Sequence, residues 1–561
     1  MKQHLQTCLM THGTCNRFAS LAGTYRPSRL IHVAGDGNAT NTVRLVDGRH
    51  ATEGGYATLS HCWGGASFLC LTVDNESALR AGIAPTNLPL SFTDAIRVCR
   101  QLGIPYLWID CLCIIQDSAE DWAAEASNMQ NVYSYSVLNI AASAARDSRG
   151  GLFFDRDLEA LESVTFEITA PWKRGAHGDP IARTQDINIP AGEYRCSHAD
   201  KWRQVDRLPL NRRAWVVQER LLSNRTLHFT GSEIFWHCRQ STASEATWDL
   251  EESGFHIGYY ASKEVFGYMD MRRILSRIEV EGMGSSASQD LYSAWAALVG
   301  IYSGCGLTKE SDKLVALWGI IEKMERLVGD ECVAGHWKKH LPQSLCWSTN
   351  WRSSSRPRQW RAPTWSWASV EGTIVSCLPE RHVQALARVR EISAPRDANG
   401  SLISGRLRIQ GALFAVSFVA SESEKSFGMD DDDSVTLAGV FTPVCPIINW
   451  DEAKTTDAFA MPVVSEYSRR GGRGYWDDGV GSGEEGEETE YDDMDWHFLV
   501  LIPTGDHGVF KRIGMMVCSF DGHSGGMNGE GIELLKTADQ AKDVMMTRTS
   551  DSWDGGVIEI V

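Results

Sequence analysis

The segment Tyr106–Ile115, YLWIDCLCII, carries one charge in ten residues and constrains the fold more than any other stretch. A run that apolar must be covered on both faces, as strands are inside a parallel sheet. What precedes it agrees. In LPLSFTDAIRVCRQLGIP, Phe92, Ala95, Ile96, Cys99 and Leu102 keep helical spacing, Ser91 and Asp94 make a capping box, and Gly103 with Pro105 supplies the stop. Upstream, YATLSHCW (56–63) reads as a short buried strand running into a Gly64-Gly65 turn. Downstream, Ser118 and Asp121 cap a second helix with Trp122, Ala126, Met129 and Tyr133 on one face, and VLNIAASA is another buried strand. The order β-α-β-α-β with short connections predicts a doubly wound, parallel α/β domain.

The rest of the chain divides by pattern. Residues 150–208 are irregular and polar, an insertion. NRRAWVVQERLL follows as a helix with Asn211 as its N-cap, and RTLHF with EIFWHC reads as a hairpin or two short strands. Helical patterning dominates about 255–350, and the chain is strand-like from about 360 to 561. Two acidic segments there, 421–435 and 468–495, are expected to be disordered because they bury too little apolar area. At 561 residues the chain exceeds one ordinary core. A formal charge of −18, much of it in those segments, argues against a nucleic-acid binder. Fifteen cysteines without repeated spacing, no secretory h-region and no 18-residue apolar run predict a cytoplasmic protein with free thiols and no membrane span.

Several side chains invite chemistry. Cys8, His12 and Cys15 have spacing that could begin a zinc site, but no fourth ligand is evident nearby, so a structural Cys/His cluster is favoured and no metal is expected. Ser60-His61-Cys62 lacks a nucleophile elbow, and neighbours on a strand point to opposite faces. GVGSGEEG (479–486) resembles a phosphate loop but lies in an acidic segment that repels phosphate. Asp110, inside the apolar run, needs a donor or a functional reason for its burial. Glu125 reads as a solvated helix flank. Glu219, one turn from Trp215, is either a solvated charge pairing with Arg220 or Arg225, or a carboxylate aimed into a cleft.

Three blocks, YATLSHCWGG, LPLSFTDAIRVCRQLGIPYLWIDCLCIIQDSAEDWAAEASNMQNVYSYSVLNIAASAA and LNRRAWVVQERLLSNRTLHFTGSEIFWHC, resemble the fungal heterokaryon incompatibility (HET) domain over residues 28–250, with residues 1–27 as a lead-in. His61 departs from the tyrosine more usual there. The resemblance implies non-self recognition and programmed cell death, and a distant relation to TIR domains, several of which cleave NAD at its nicotinamide glycosidic bond. It therefore implies a TIR-like, flavodoxin-like sheet. Plant-type TIR domains carry a Trp-Cys-Leu-x-Glu helix whose glutamate is essential; here Trp215 and Glu219 keep that offset, with Val216 in place of cysteine. On this basis Glu219 is the catalytic candidate. Ser60, Trp63, Gly64, Asp110, Arg213, Trp215 and Gln218 would line the substrate cleft, with NAD as substrate and no bound cofactor. The competing class is a non-enzymatic signalling module that acts by self-association or through an incompatibility partner protein.

Overall fold

The computed structural model describes residues 1–16, 25–34, 42–51, 54–65, 67–156, 164–169, 172–173, 188–189, 191–196, 201–246, 268–282, 285–349, 355–376, 383–397, 400–411, 413–420, 433–437, 440–446, 458–469, 492–520 and 557–561. The chain forms two compact units. The first comprises Met1–Ala287, Cys305–Leu307 and Ala316–Lys323, and the second comprises the remainder.

The first unit is built on a mixed sheet of eight strands: β1 (Arg29–His32), β2 (Arg44–Asp47), β3 (Tyr56–Ser60), β4 (Tyr106–Ile109), β5 (Leu138–Ala141), β6 (Arg225–Phe229), β7 (Ile234–Cys238) and β8 (Thr242–Ser244). Their spatial order is β8-β7-β6-β5-β3-β4-β1-β2. Only the central β6-β5-β3-β4 stretch is parallel. β1, β2, β7 and β8 pair antiparallel, which corrects the expectation of a wholly parallel sheet. β6, β7 and β8 are joined by turns too short for a parallel crossover. Counted along the chain, the parallel strands lie in the order 2-1-3-4, so the strand order reverses between the first and third, β3 and β5, a switch point.

The central strands are covered on both faces: all residues of β3, β5 and β6 are buried, the polar Thr58, Ser60, Asn139, Arg225, Thr226 and His228 among them, and Trp108 in β4 is fully enclosed. Each large side chain of this kind contributes roughly 1.5–3 kcal/mol. The YLWIDCLCII run is shorter as a strand than its composition suggests. β4 ends at Ile109, and Asp110–Cys113 turns as a short helix, because apolar content alone does not mark where a strand stops.

Helix α1 spans Lys2–Thr11, and α2 spans Leu90–Leu102, burying Phe92, Ala95, Ile96, Val98 and Cys99. The capping box expected for α2 is absent. Its N-cap is Pro89, while Ser91 Oγ and Asp94 Oδ2 accept from the amides of Gly151 and Leu152 instead. α3 spans Ala119–Ser134, and there Ser118 Oγ does accept from the Asp121 amide, at 3.2 Å. α4 spans Ala214–Leu222 and is led in by a 3-10 turn, Pro209–Arg212. Asn211 lies in that turn, and its amide nitrogen donates to Val205 O rather than capping the helix. Within the expected insertion, Val164–Ile168 pairs with Gly192–Cys196 and Trp172–Lys173 with Asn188–Ile189.

The second unit is β-rich. Strands Ala458–Arg469, Asp492–Pro503, Val509–Phe520, Val440–Pro446, Asp433–Leu437 and Phe414–Ala420 pair antiparallel in a cycle that returns to the first. Residues 433–435, 468–469 and 492–495 are therefore strand and not disordered as expected. The rest of the two acidic segments, GVGSGEEG included, lies outside the described residues. Among the described residues no helix is long and apolar enough to cross a membrane.

Gly103 ends α2 in the left-handed region at φ 75°, and a Cβ there would meet nothing within 4 Å. Gly103→Ala should therefore cost backbone strain alone, about 1–2 kcal/mol by urea denaturation. Gly103→Asn should cost less. Equal stability of the alanine variant would contradict this geometry.

Candidate functional site

The carboxyl edge of the parallel strands is where an open α/β sheet binds ligands, in the crevice at its switch point. Ser60 ends β3 at that edge, beside Ala141 at the end of β5. Ser60 Oγ donates to Glu219 Oε2. It also lies 3.1 Å from Asn139 Oδ1, which accepts from Thr58 Oγ1 at 3.0 Å. The Tyr133 side chain, from α3, lies beside both Ser60 and Glu219.

Glu219 is 7 % exposed, so the reading of it as a solvated helix charge is overturned. Arg220 turns away to Asp206, at 2.9 Å, and Arg225 is buried elsewhere. Burial is the main force on the Glu219 carboxyl, raising its pKa from the ordinary 4.5 to about 7. The Ser60 bond and the Arg213 charge oppose that rise, and Asp110 adds to it. The rival carboxylate, Glu125, is also buried rather than solvated. Arg29 stands 4.0 Å from it, and burial raises its carboxyl as well.

A second layer forms around Asp110. Trp63 Nε1 donates to Asp110 Oδ2 at 2.7 Å, and the Cys111 amide to Oδ1 at 2.7 Å. The buried His61 ring places Nδ1 3.7 Å from Asp110 Oδ1, and burial lowers its pKa. Arg213 donates through Nη1 to the His61 carbonyl, tying the start of α4 to the turn after β3. Gly64, at φ 65°, lets that turn pack against Asp147, whose Cβ would lie 2.3 Å from any Cβ added there.

Of the residues singled out from sequence, Glu219, Ser60 and Arg213 thus converge, and Trp63 and Asp110 adjoin them through His61. Gly64 shapes the turn. Two lie apart from that group. Trp215 packs edge-on against Trp122 at 6.4 Å between ring centres, and Gln218 Oε1 accepts from the Gly319 amide at 2.9 Å. Sequence reading missed Asn139 and Tyr133. An asparagine inside VLNIAASA was the available signal, since a polar side chain in a doubly covered strand requires a partner. A separate cavity of about 790 Å³ in the second unit, lined by Trp360, Arg361, Arg406 and Lys511 among others, contains none of these residues.

Residues 56–219 match the family described as "Heterokaryon incompatibility protein (HET)". The match opens on the first residue of β3 and closes on Glu219, so it encloses every residue of the site. No curated protein and no solved structure matches the chain.

Because the folded state holds the Glu219 proton more tightly than the unfolded chain, its contribution is full below pH 4.5. That contribution is lost as pH rises through about 7. The penalty on the ionised side is of order 3 kcal/mol. Glu219→Gln, isosteric and uncharged, should therefore raise the melting temperature relative to wild type at pH 8 and change it little at pH 4.5. A gain independent of pH would show that Glu219 does not titrate in this range.

Proposed function

We propose that this protein, which carries a heterokaryon incompatibility domain, acts in non-self recognition by cleaving NAD at its nicotinamide glycosidic bond, with Glu219 as the catalytic carboxylate. The observation that carries the reading is the buried Glu219–Ser60 pair at the carboxyl edge of the sheet, beside the β3/β5 switch point. The Trp215-to-Glu219 offset, similar to the essential glutamate helix of TIR domains, supports it from sequence.

The chemistry suits the residues. The ribosyl C–N bond breaks with its electron pair passing to nicotinamide, whose ring nitrogen becomes neutral. The oxocarbenium ion left behind takes up water and loses a proton, giving ADP-ribose. A carboxylate held in low dielectric beside the ribose stabilises that developing positive charge far more than it would in water. Ser60 holds the carboxylate in position beside Tyr133, and Arg213 supplies a cation at the same edge for an anionic substrate group. The cationic nicotinamide ring favours the ionised form of Glu219 on entry.

A second reading rests on the same pair. With Ser60, Tyr133 and Arg213 around it, Glu219 has the partners of a structural carboxylate, as expected of an assembly module that signals by protein contacts. One experiment separates the two. Purified full-length protein, at concentrations that permit self-association, is assayed for nicotinamide release. Wild type should turn NAD over with kcat/KM rising through pH about 7 as Glu219 ionises. Glu219→Ala should lose about 10²-fold or more. Equal release by the two proteins would remove Glu219 from the mechanism. Death of a fungal host that survives Glu219→Gln with unchanged NAD would favour assembly.

A further inference from the structure

At the opposite, amino edge of the parallel strands, four side chains from distant parts of the chain meet. Cys8 lies in α1, His12 caps its C-terminus, Cys15 sits on the helical backbone that follows, and Cys238 ends β7. One ligand atom from each lies within 4.8 Å of every other. His12 Nδ1 is 3.4 Å from Cys238 Sγ and 4.0 Å from Cys15 Sγ. We propose that Cys8, His12, Cys15 and Cys238 bind one Zn(II) ion in a closed, tetrahedral Cys3His site that fastens the N-terminal helix to the edge of the sheet.

Three observations carry this. The first is geometric. With Zn–S bonds of about 2.3 Å and Zn–N bonds of about 2.0 Å, a tetrahedral site separates nitrogen from sulfur by about 3.5 Å, and the distances of 3.4 and 4.0 Å from His12 Nδ1 to the Cys238 and Cys15 sulfurs bracket that value. All three thiols are buried, and three thiols plus an imidazole leave an odd sulfur under any disulfide pairing.

The second concerns donors to sulfur. The Ser241 amide donates to Cys238 Sγ at 3.2 Å, and Ser241 Oγ lies 3.3 Å from it, in the tight turn between β7 and β8. Donors aimed at a sulfur suit a thiolate, and outer-shell partners of this kind hold metal ligands in place.

The third is charge. Arg225, 1 % exposed, donates through Nε to Cys8 Sγ at 3.1 Å. Its other described partners, Val137 O and Asn16 Oδ1, are neutral. A buried guanidinium needs a counter-charge. Three thiolates, a neutral imidazole and Zn(II) carry a net charge of minus one, which Arg225 balances. Sulfur-rich tetrahedral donors select zinc over harder divalent ions.

The test uses the full-length chain purified from zinc-replete cells. Elemental analysis should find about one zinc per chain, released by a chelator together with reactivity of the Cys8, Cys15 and Cys238 thiols. Cobalt(II) exchanged into the site should give the intense visible bands of a tetrahedral thiolate complex. His12 is only partly buried, so it offers variants that fold: His12→Cys should retain zinc, whereas His12→Ala should weaken binding at least about tenfold. Protein that carries no zinc and takes up none from a competing chromophoric chelator would overturn the proposal. So would a disulfide among the three cysteines in freshly isolated, metal-free protein.

Discussion

A carboxylate can leave water only where donors are waiting for it, and the first unit is arranged around that requirement at Glu219. Its surroundings come from separate elements: Ser60, which donates to it, from the end of β3, Tyr133 from α3, and the Arg213 charge from the lead-in to α4. Each is held in turn. Asn139 sits beneath Ser60 and Thr58, and Arg213 is braced on the His61 carbonyl. A hydroxyl has one proton, and Ser60 Oγ lies within reach of two acceptors, Glu219 and Asn139. When Glu219 is ionised, Ser60 donates to it and Asn139 keeps Thr58 alone. When Glu219 is protonated, it donates to Ser60, which turns its own proton to Asn139. Both protonation states are thus satisfied without moving the backbone, consistent with a carboxyl poised near neutrality.

What was legible in the sequence follows from how locally each feature is encoded. Helix α2 could be read because its apolar spacing and its terminal Gly103 are contiguous. β3, β4 and β5 could be read because cover on both faces keeps most of their residues apolar. The end of β4 could not: Ile109 and Cys111 are equally apolar, and only the turn at Asp110 separates strand from helix. Among the antiparallel edge strands, β7 was signalled by its short turn from β6, while β1, β2 and β8 were hidden, since strand direction depends on pairing partners rather than on composition. The same limit applies to Glu125 and Glu219. Both sit on helices where spacing suggested a solvated flank, and both are buried because a second element, carrying Arg29 or Ser60, arrives from elsewhere. For the cluster at Cys8, sequence offered three ligands in eight residues, while the fourth, Cys238, lies 226 positions beyond His12.

The two clusters occupy opposite edges of one sheet, and the path between them is short in sequence. α4 carries Glu219 and ends at Leu222; β6 begins at Arg225, which pairs directly across the ladder with Cys238. The helix that presents the carboxylate to the carboxyl edge therefore runs into the strand whose first residue donates to Cys8 at the amino edge and would balance the charge of the proposed zinc site. α1 closes over the same place, where His4 packs edge-on against Trp236 at 5.3 Å. Anchoring at the amino edge fixes β6 and β7 without entering the crevice, leaving the carboxyl edge free to be shaped by its loops. That division has a physical reason. A closed metal site stabilises most where it joins segments far apart in sequence, because it offsets the largest loop-closure entropy. The carboxylate proposed as catalytic would need an edge whose neighbours can exchange protons and admit a ligand. Ser60, with its single proton shared between two acceptors, meets that second need, and the Cys8–Cys238 juncture meets the first.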